Sequence, residues 1–172
     1  MNMKNHKFTK AAASAAMSAL LISSALMFTA CSDKSANSDI KAETVKVSSG
    51  ENLKIKIADV TDTAKFYPVD IDGTEIEVIA IKDSSGEIRT AFNTCQICYS
   101  SGRGYYEQEG DYLVCQNCGN SFSADQVEVQ SGGCNPVPIF SENKTVTDDT
   151  IEISYDCLNE AKQIFANWKT NF

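Results

Sequence analysis

From residue 53 onward, apolar side chains recur at every second position, the period of a strand with one face turned toward a core. Leu53, Ile55 and Ile57 share a face in the first such run; in the next, Ile76, Val78 and Ala80 fall on one face and Glu77, Ile79 and Ile81 on the other. Asp72-Gly73 and Asp83-Ser84-Ser85-Gly86 supply turn residues between runs. The pattern predicts antiparallel strands over about 53–58, 64–70, 74–82 and 87–93, joined as hairpins. Gly102, Gly104 and Gly110-Asp111 frame a further hairpin with strands near 104–108 and 111–115. Asp70-Ile71-Asp72-Gly73 has the opening of a calcium loop but lacks the ligands that should follow, so it reads as a tight turn. From Asp156 the period lengthens to that of a helix, with Leu158, Ala161, Ile164 or Phe165, and Trp168 on one stripe and Asp156 as its N-cap. Phe165 and Trp168 are then core residues. The expected fold is mainly β, a single antiparallel domain closed by a short C-terminal helix.

The N-terminus follows another rule. Lys4, Lys7 and Lys10 precede an uncharged, largely apolar stretch from Ala11 to Ala30, which ends as Phe28-Thr29-Ala30-Cys31. This is the pattern of a bacterial lipoprotein signal, with Phe28 standing where Leu is more usual. Residues 1–30 are expected to be removed, Cys31 to carry the lipid, and residues 31–50, rich in Ser, Asp and Lys, to form a solvated tether to a domain at 51–172. An uncleaved anchor is the alternative, because twenty such residues are just long enough to span a bilayer. Both place the domain on the extracytoplasmic face of the cell membrane.

That boundary changes the meaning of the composition. His6 and all four methionines lie in the first 30 residues, so the remainder has neither His nor Met. His-based acid–base or nucleophilic catalysis, mixed Cys/His zinc sites and His or Met ligation of haem or copper are thereby excluded. The net charge of -8 becomes -11, with 12 Lys and Arg against 23 Asp and Glu. Such a surface repels phosphate backbones, so nucleic acid is not an expected partner.

Cysteine is left to carry soft-metal or redox chemistry. Cys95-Gln-Ile-Cys98 and Cys115-Gln-Asn-Cys118 are separated by 16 residues. Two residues between cysteines let both sulfurs of a tight turn point at one ion, and a hairpin brings two such turns together. Gly119 gives the second turn the permissive backbone it needs. A four-thiolate zinc site, an iron-sulfur cluster or single iron, and a set of disulfides all remain open. Thioredoxin-type exchange is less favoured, because each pair sits at a predicted strand end and not at the start of a long helix. Of the others, Cys134 and Cys157 lie outside the pairs and could form a disulfide with each other.

The segments AKFYPVDIDGTEIEVIAIKDSSGEIRTAFNTCQIC, GYYEQEGDYLVCQNCGNSF and GGCNPVPI, in this order, resemble the FtrD-like family of bacterial membrane-associated iron-sulfur proteins. The resemblance spans about Leu53 to Phe140; residues 141–172, Cys157 included, carry none of its motifs. It implies an extracytoplasmic iron-sulfur or metal-binding domain with Cys95, Cys98, Cys115 and Cys118 as ligands and Cys134 near or in the site. It further implies work beside a membrane iron permease and other extracytoplasmic iron-handling or redox proteins. Members often end a multi-span protein, so here the permease would be a separate chain. The order of turn, hairpin, turn and Gly/Pro loop also resembles the Rieske layout, and the hairpin-tip pairs resemble a zinc ribbon. Without His, an all-thiolate iron centre is expected at low potential, toward the plant-ferredoxin range. The expected function is electron transfer or iron handling in iron uptake, without a substrate pocket; the alternatives are a structural zinc module and a thiol-disulfide redox protein.

Overall fold

The computed structural model describes residues 43–170 apart from residue 130. The signal segment and Cys31 lie outside the described residues. Among the described residues eleven strands form three sheets. The largest orders its strands β1 (Val45–Val47), β3 (Lys65–Ile71), β4 (Thr74–Lys82), β5 (Ile88–Cys95) and β9 (Pro136–Pro138). On one side stands a sheet of β10 (Lys144–Val146), β11 (Thr150–Ile153) and β2 (Leu53–Lys56); on the other, a sheet of β6 (Tyr106–Glu109), β7 (Tyr112–Cys115) and β8 (Ser121–Ser123). The mainly β, largely antiparallel architecture with one short C-terminal helix follows the expectation.

Strand β4 explains the two-sided apolar run. Ile76, Val78 and Ala80 enter one core with Leu53, Ile153 and Leu158, while Ile79 and Ile81 enter a second with Cys95, Cys115 and Tyr106. A strand covered on both faces cannot alternate apolar with polar, and Glu77 survives on the second face by bonding: its carboxylate accepts from Asn93 Nδ2 at 2.5 Å and from Lys169 Nζ at 3.2 Å. The β3–β4 connection is a tight turn, with Asp72 and Gly73 both in the left-handed region (φ 51° and 85°) and Asp70 Oδ1 accepting the Gly73 N–H at 2.8 Å.

Two boundaries differ from the sequence reading. Strand β1 lies inside the segment expected to be tether, pairing parallel to β3 with Val47 buried. The helix α1 spans Tyr155–Ala161 and its N-cap is Ser154, whose hydroxyl accepts the Cys157 N–H at 3.3 Å. Asp156 sits in the first turn, where its charge suits the helix dipole without capping it. A 3-10 turn, Lys162–Phe165, continues the chain and buries Phe165 edge-on against Phe92 and Trp168. Trp168 is only half-buried, and its indole N–H donates to the Asn93 carbonyl at 2.7 Å.

Candidate metal centre

Each Cys-x-x-Cys turn leaves the end of a strand. Strand β5 runs into Cys95 through a bulge between Phe92 and Cys95, which re-aims its end away from β9. Within that bulge Asn93 Oδ1 accepts the Tyr106 N–H at 2.7 Å, fixing the start of β6. The Cys95 N–H donates to the Gly104 carbonyl at 2.6 Å, and the Cys98 N–H points at the Cys95 sulfur at 3.3 Å. Gly104 presses so closely on this turn that a Cβ there would collide with the Cys98 carbonyl. Strand β7 ends in Cys115, and the second turn closes with the Gly119 N–H on the Cys115 carbonyl at 2.9 Å, Gly119 being left-handed at φ 72°. The amides of Asn117 and Cys118 point at the Cys115 sulfur, so the two turns are built alike.

A third loop completes the site. Gln96, between the first two cysteines, accepts the Gly132 N–H at 2.7 Å through its side chain and donates its own N–H to the Asn135 carbonyl at 3.3 Å. The Tyr106 hydroxyl donates to the Cys134 carbonyl, and its ring stands edge-on to Phe122 at 6.2 Å. Upstream, Glu128 holds the chain against β5: its carboxylate accepts the Thr90 N–H at 2.7 Å and the Lys144 ammonium at 2.6 Å.

These contacts bring the thiol sulfurs of Cys95, Cys98, Cys118 and Cys134 within 4.8 Å of one another. Cys95 and Cys98 are buried, Cys134 is half-buried and Cys118 is exposed. Cys115 is buried and does not belong to that quartet, although its thiol and that of Cys118 influence each other's ionisation. Cys157 lies in the first core, beyond reach of the others, with its thiol pushed up to about 11 by burial. All six described cysteines are free, so the Cys134–Cys157 disulfide is not formed. Cys134 packs at the second core and Cys157 in the first, on opposite sides of the central sheet.

The quartet is prepared for a cation. Burial, with the Cys95 and Cys118 thiols adding to it, pushes Cys98 up to about 12; burial likewise pushes Cys115 up to about 11. At Cys118 burial also opposes ionisation, yet the Asn120 amide and the thiols of Cys115, Cys134 and Cys98 together hold its pKa below the ordinary value. At Cys134 the Asn120 side chain favours ionisation most, but the Cys118 thiol, burial and the charges of Cys95 and Cys118 together leave the pKa raised. The Cys118 thiolate is thus favoured, whereas those of Cys98 and Cys134 are opposed. Within residues 95–104, 115–123 and 131–139 only Arg103 carries a charge, so the protein supplies no set of cations to balance several thiolates. A bound metal ion supplies that balance and displaces the protons. At a metal–sulfur bond of about 2.3 Å, tetrahedral ligands stand roughly 3.8 Å apart, a spacing this quartet reaches with small movements. The residues therefore fit an ion held by cysteine sulfur alone, with iron and zinc both suited to the donor set.

Sequence reasoning paired Cys115 with Cys118 by motif and left Cys134 at the margin. The glycines of GGCN were the available signal for Cys134: Gly132 and Gly133 take φ 104° and 65°, allowing the loop to turn its thiol back toward the first pair.

Three sheets carrying a thiol cluster on their connecting loops define a mainly β domain whose cysteines could hold a metal. Residues 60–165 match the family model described as membrane iron-sulfur containing protein FtrD-like, and the chain belongs to that family. The match continues past Phe140 through β10, β11 and α1, so the C-terminal segment that carried no recognisable motif is part of the family's domain. No curated protein and no solved structure matches the chain. Family and thiol cluster together fit an iron-related metal-binding role. The family description is consistent with association with a membrane, and no helix among the described residues is long and apolar enough to cross one.

Proposed function

We propose that this protein is a lipid-anchored, extracytoplasmic iron-binding component of a bacterial iron-transport system, carrying electrons or handling iron beside a membrane permease and other iron-handling or redox proteins. The observation that carries the reading is the group of four thiol sulfurs, all within 4.8 Å, in a member of an iron-sulfur family. Cys95, Cys98, Cys118 and Cys134 would hold the metal, with Cys115 beside them. Iron bound there would supply one-electron chemistry at a potential set by its all-thiolate ligands. The chain's own contribution is positional and electrostatic. The Cys98 amide on the Cys95 sulfur stabilises negative charge on that ligand. Tyr106 and Gln96 hold the third loop in place, and the buried Cys95 and Cys98 keep water from one side. Cys118 leaves the other side open, as electron or metal exchange with a partner requires.

The compact spacing equally suits zinc in a structural role, which is the second reading. Purifying the chain without oxygen, then recording its visible spectrum with iron, zinc and sulfide analysis, separates the two. Charge-transfer bands with iron support the proposal, and acid-labile sulfide alongside them identifies a cluster. A colourless protein with one zinc ion defeats it.

A further inference from the structure

We infer that Cys115 and Cys118 form a disulfide-bonding dithiol in which Cys118 is shared between the metal quartet and its resolving partner Cys115. Disulfide formation depends only on where the thiols stand, whereas metal release depends also on the centre proposed above.

Three observations carry this. First, Cys115 is the one cysteine of the two paired motifs outside the quartet, and it stands only one turn of chain from Cys118. The two are joined through a tight turn closed by the Gly119 N–H on the Cys115 carbonyl at 2.9 Å. Ends of such a turn lie within about 7 Å at Cα, the separation a disulfide bridges. Second, access is unequal. Cys118 is exposed whereas Cys115 is buried, so an external reagent meets Cys118 first. Third, the other pair has the same spacing but the opposite situation. Cys95 and Cys98 both belong to the quartet, both are buried, and Gly104 closes over their turn.

The chemistry is thiol–disulfide exchange with an external disulfide as oxidant. The Cys118 sulfur attacks one sulfur of that disulfide, its S–S bond breaks, and one thiolate leaves. The Cys115 sulfur then attacks Cys118 in the mixed disulfide and expels the second external thiolate. Two electrons pass from the protein dithiol to the oxidant. One released thiolate takes the Cys115 proton; the other takes the Cys118 proton in the metal-free chain, or a proton from water where Cys118 was already ionised by the metal. Cys118 is lost as a ligand, and the quartet becomes a triad that holds its metal less well.

The test uses the full chain loaded with zinc, a redox-inert probe, and oxidised glutathione as the disulfide. Disulfides are mapped by mass spectrometry and zinc release is followed with a chromophoric chelator. Wild type should yield the Cys115–Cys118 disulfide together with zinc release, both reversed by a thiol reductant. Cys115→Ser should retain zinc under reducing conditions and accumulate glutathione on Cys118, having no resolving thiol; Cys115→Ala repeats the test if the serine variant misfolds. The inference is overturned if a folded Cys115 variant loses zinc under reductant, which would make Cys115 a ligand. It is also overturned if the disulfide maps to Cys95–Cys98 or Cys118–Cys134, or forms without zinc release. Should wild type bind neither zinc nor iron, the metal centre fails, and disulfide mapping on the metal-free chain still decides the dithiol.

Discussion

The two faces of β4 carry different kinds of order. On the first, aliphatic residues from β2, β3, β11 and α1 pack together, and the single cysteine there, Cys157, is one more apolar filler. On the second, Tyr106, Leu113 and Val127 join Cys95, Cys98 and Cys115, and the surrounding chain is short strand and loop, stitched by Gln96, Tyr106 and Asn93. Burial of apolar surface accounts for the first side alone. The second gathers thiols whose full ionisation the protein does not balance, so a metal bound there would complete its order. Cysteine has two roles in one small domain, and its surroundings decide which.

Removing the metal should break this contrast most severely. Structural thiolate sites supply about 10–16 kcal/mol of binding free energy in small zinc domains. Chelation of the loaded chain is therefore expected to speed amide exchange across β6–β8 and residues 131–135 while leaving β2, β11 and α1 slow; equal acceleration on both sides would refute the division. Next in size, Leu158→Ala should cost about 2–5 kcal/mol in denaturant unfolding, as large-to-small changes in a packed core do. Its metal stoichiometry should stay that of wild type. Tyr106→Phe removes the bond to the Cys134 carbonyl and should lower metal affinity roughly tenfold by competition titration, the fold staying intact. Ser154→Ala, which uncaps α1, should cost about 1 kcal/mol on the first side without altering metal affinity.

The mildest probe perturbs nothing. Burial holds Cys157 at about 11, above its ordinary value, so below that pH it stays a neutral thiol in the folded chain. The stability this confers is complete below the unfolded thiol's pKa and is lost as pH rises toward about 11. In the metal-free chain at mildly alkaline pH, iodoacetamide should label the exposed Cys118 first and Cys157 only on unfolding, with peptide mass mapping as the readout.

Much of this division was legible in the residues. The β3–β4 and β4–β5 hairpins announce themselves through alternation and through turn residues whose chemistry is local, as Asp72-Gly73 shows. Both Cys-x-x-Cys pairs were placed correctly at strand ends. Strands of three residues, such as β1, β8 and β9, are too short for alternation to show, and β1 and β9 also pair with strands distant in sequence. The Ser154 cap was missed since Asp156 is an equally good capping residue type, and only the backbone distinguishes them. Cys134 reaches the first pair through Gln96 and Tyr106, long-range bonds that no local spacing encodes.

The parallel pairing of β1 with β3 fixes where any leash must end. Val45 is already hydrogen-bonded into the edge of the central sheet, so a lipid on Cys31 would be joined to the folded body by the short stretch before it. Fully extended, the chain from Cys31 to Val45 reaches roughly 50 Å at most, from about 3.6 Å per residue. A domain so tethered would sweep only a shallow hemisphere above the bilayer, meeting membrane-bound neighbours far more often than anything diffusing at a distance.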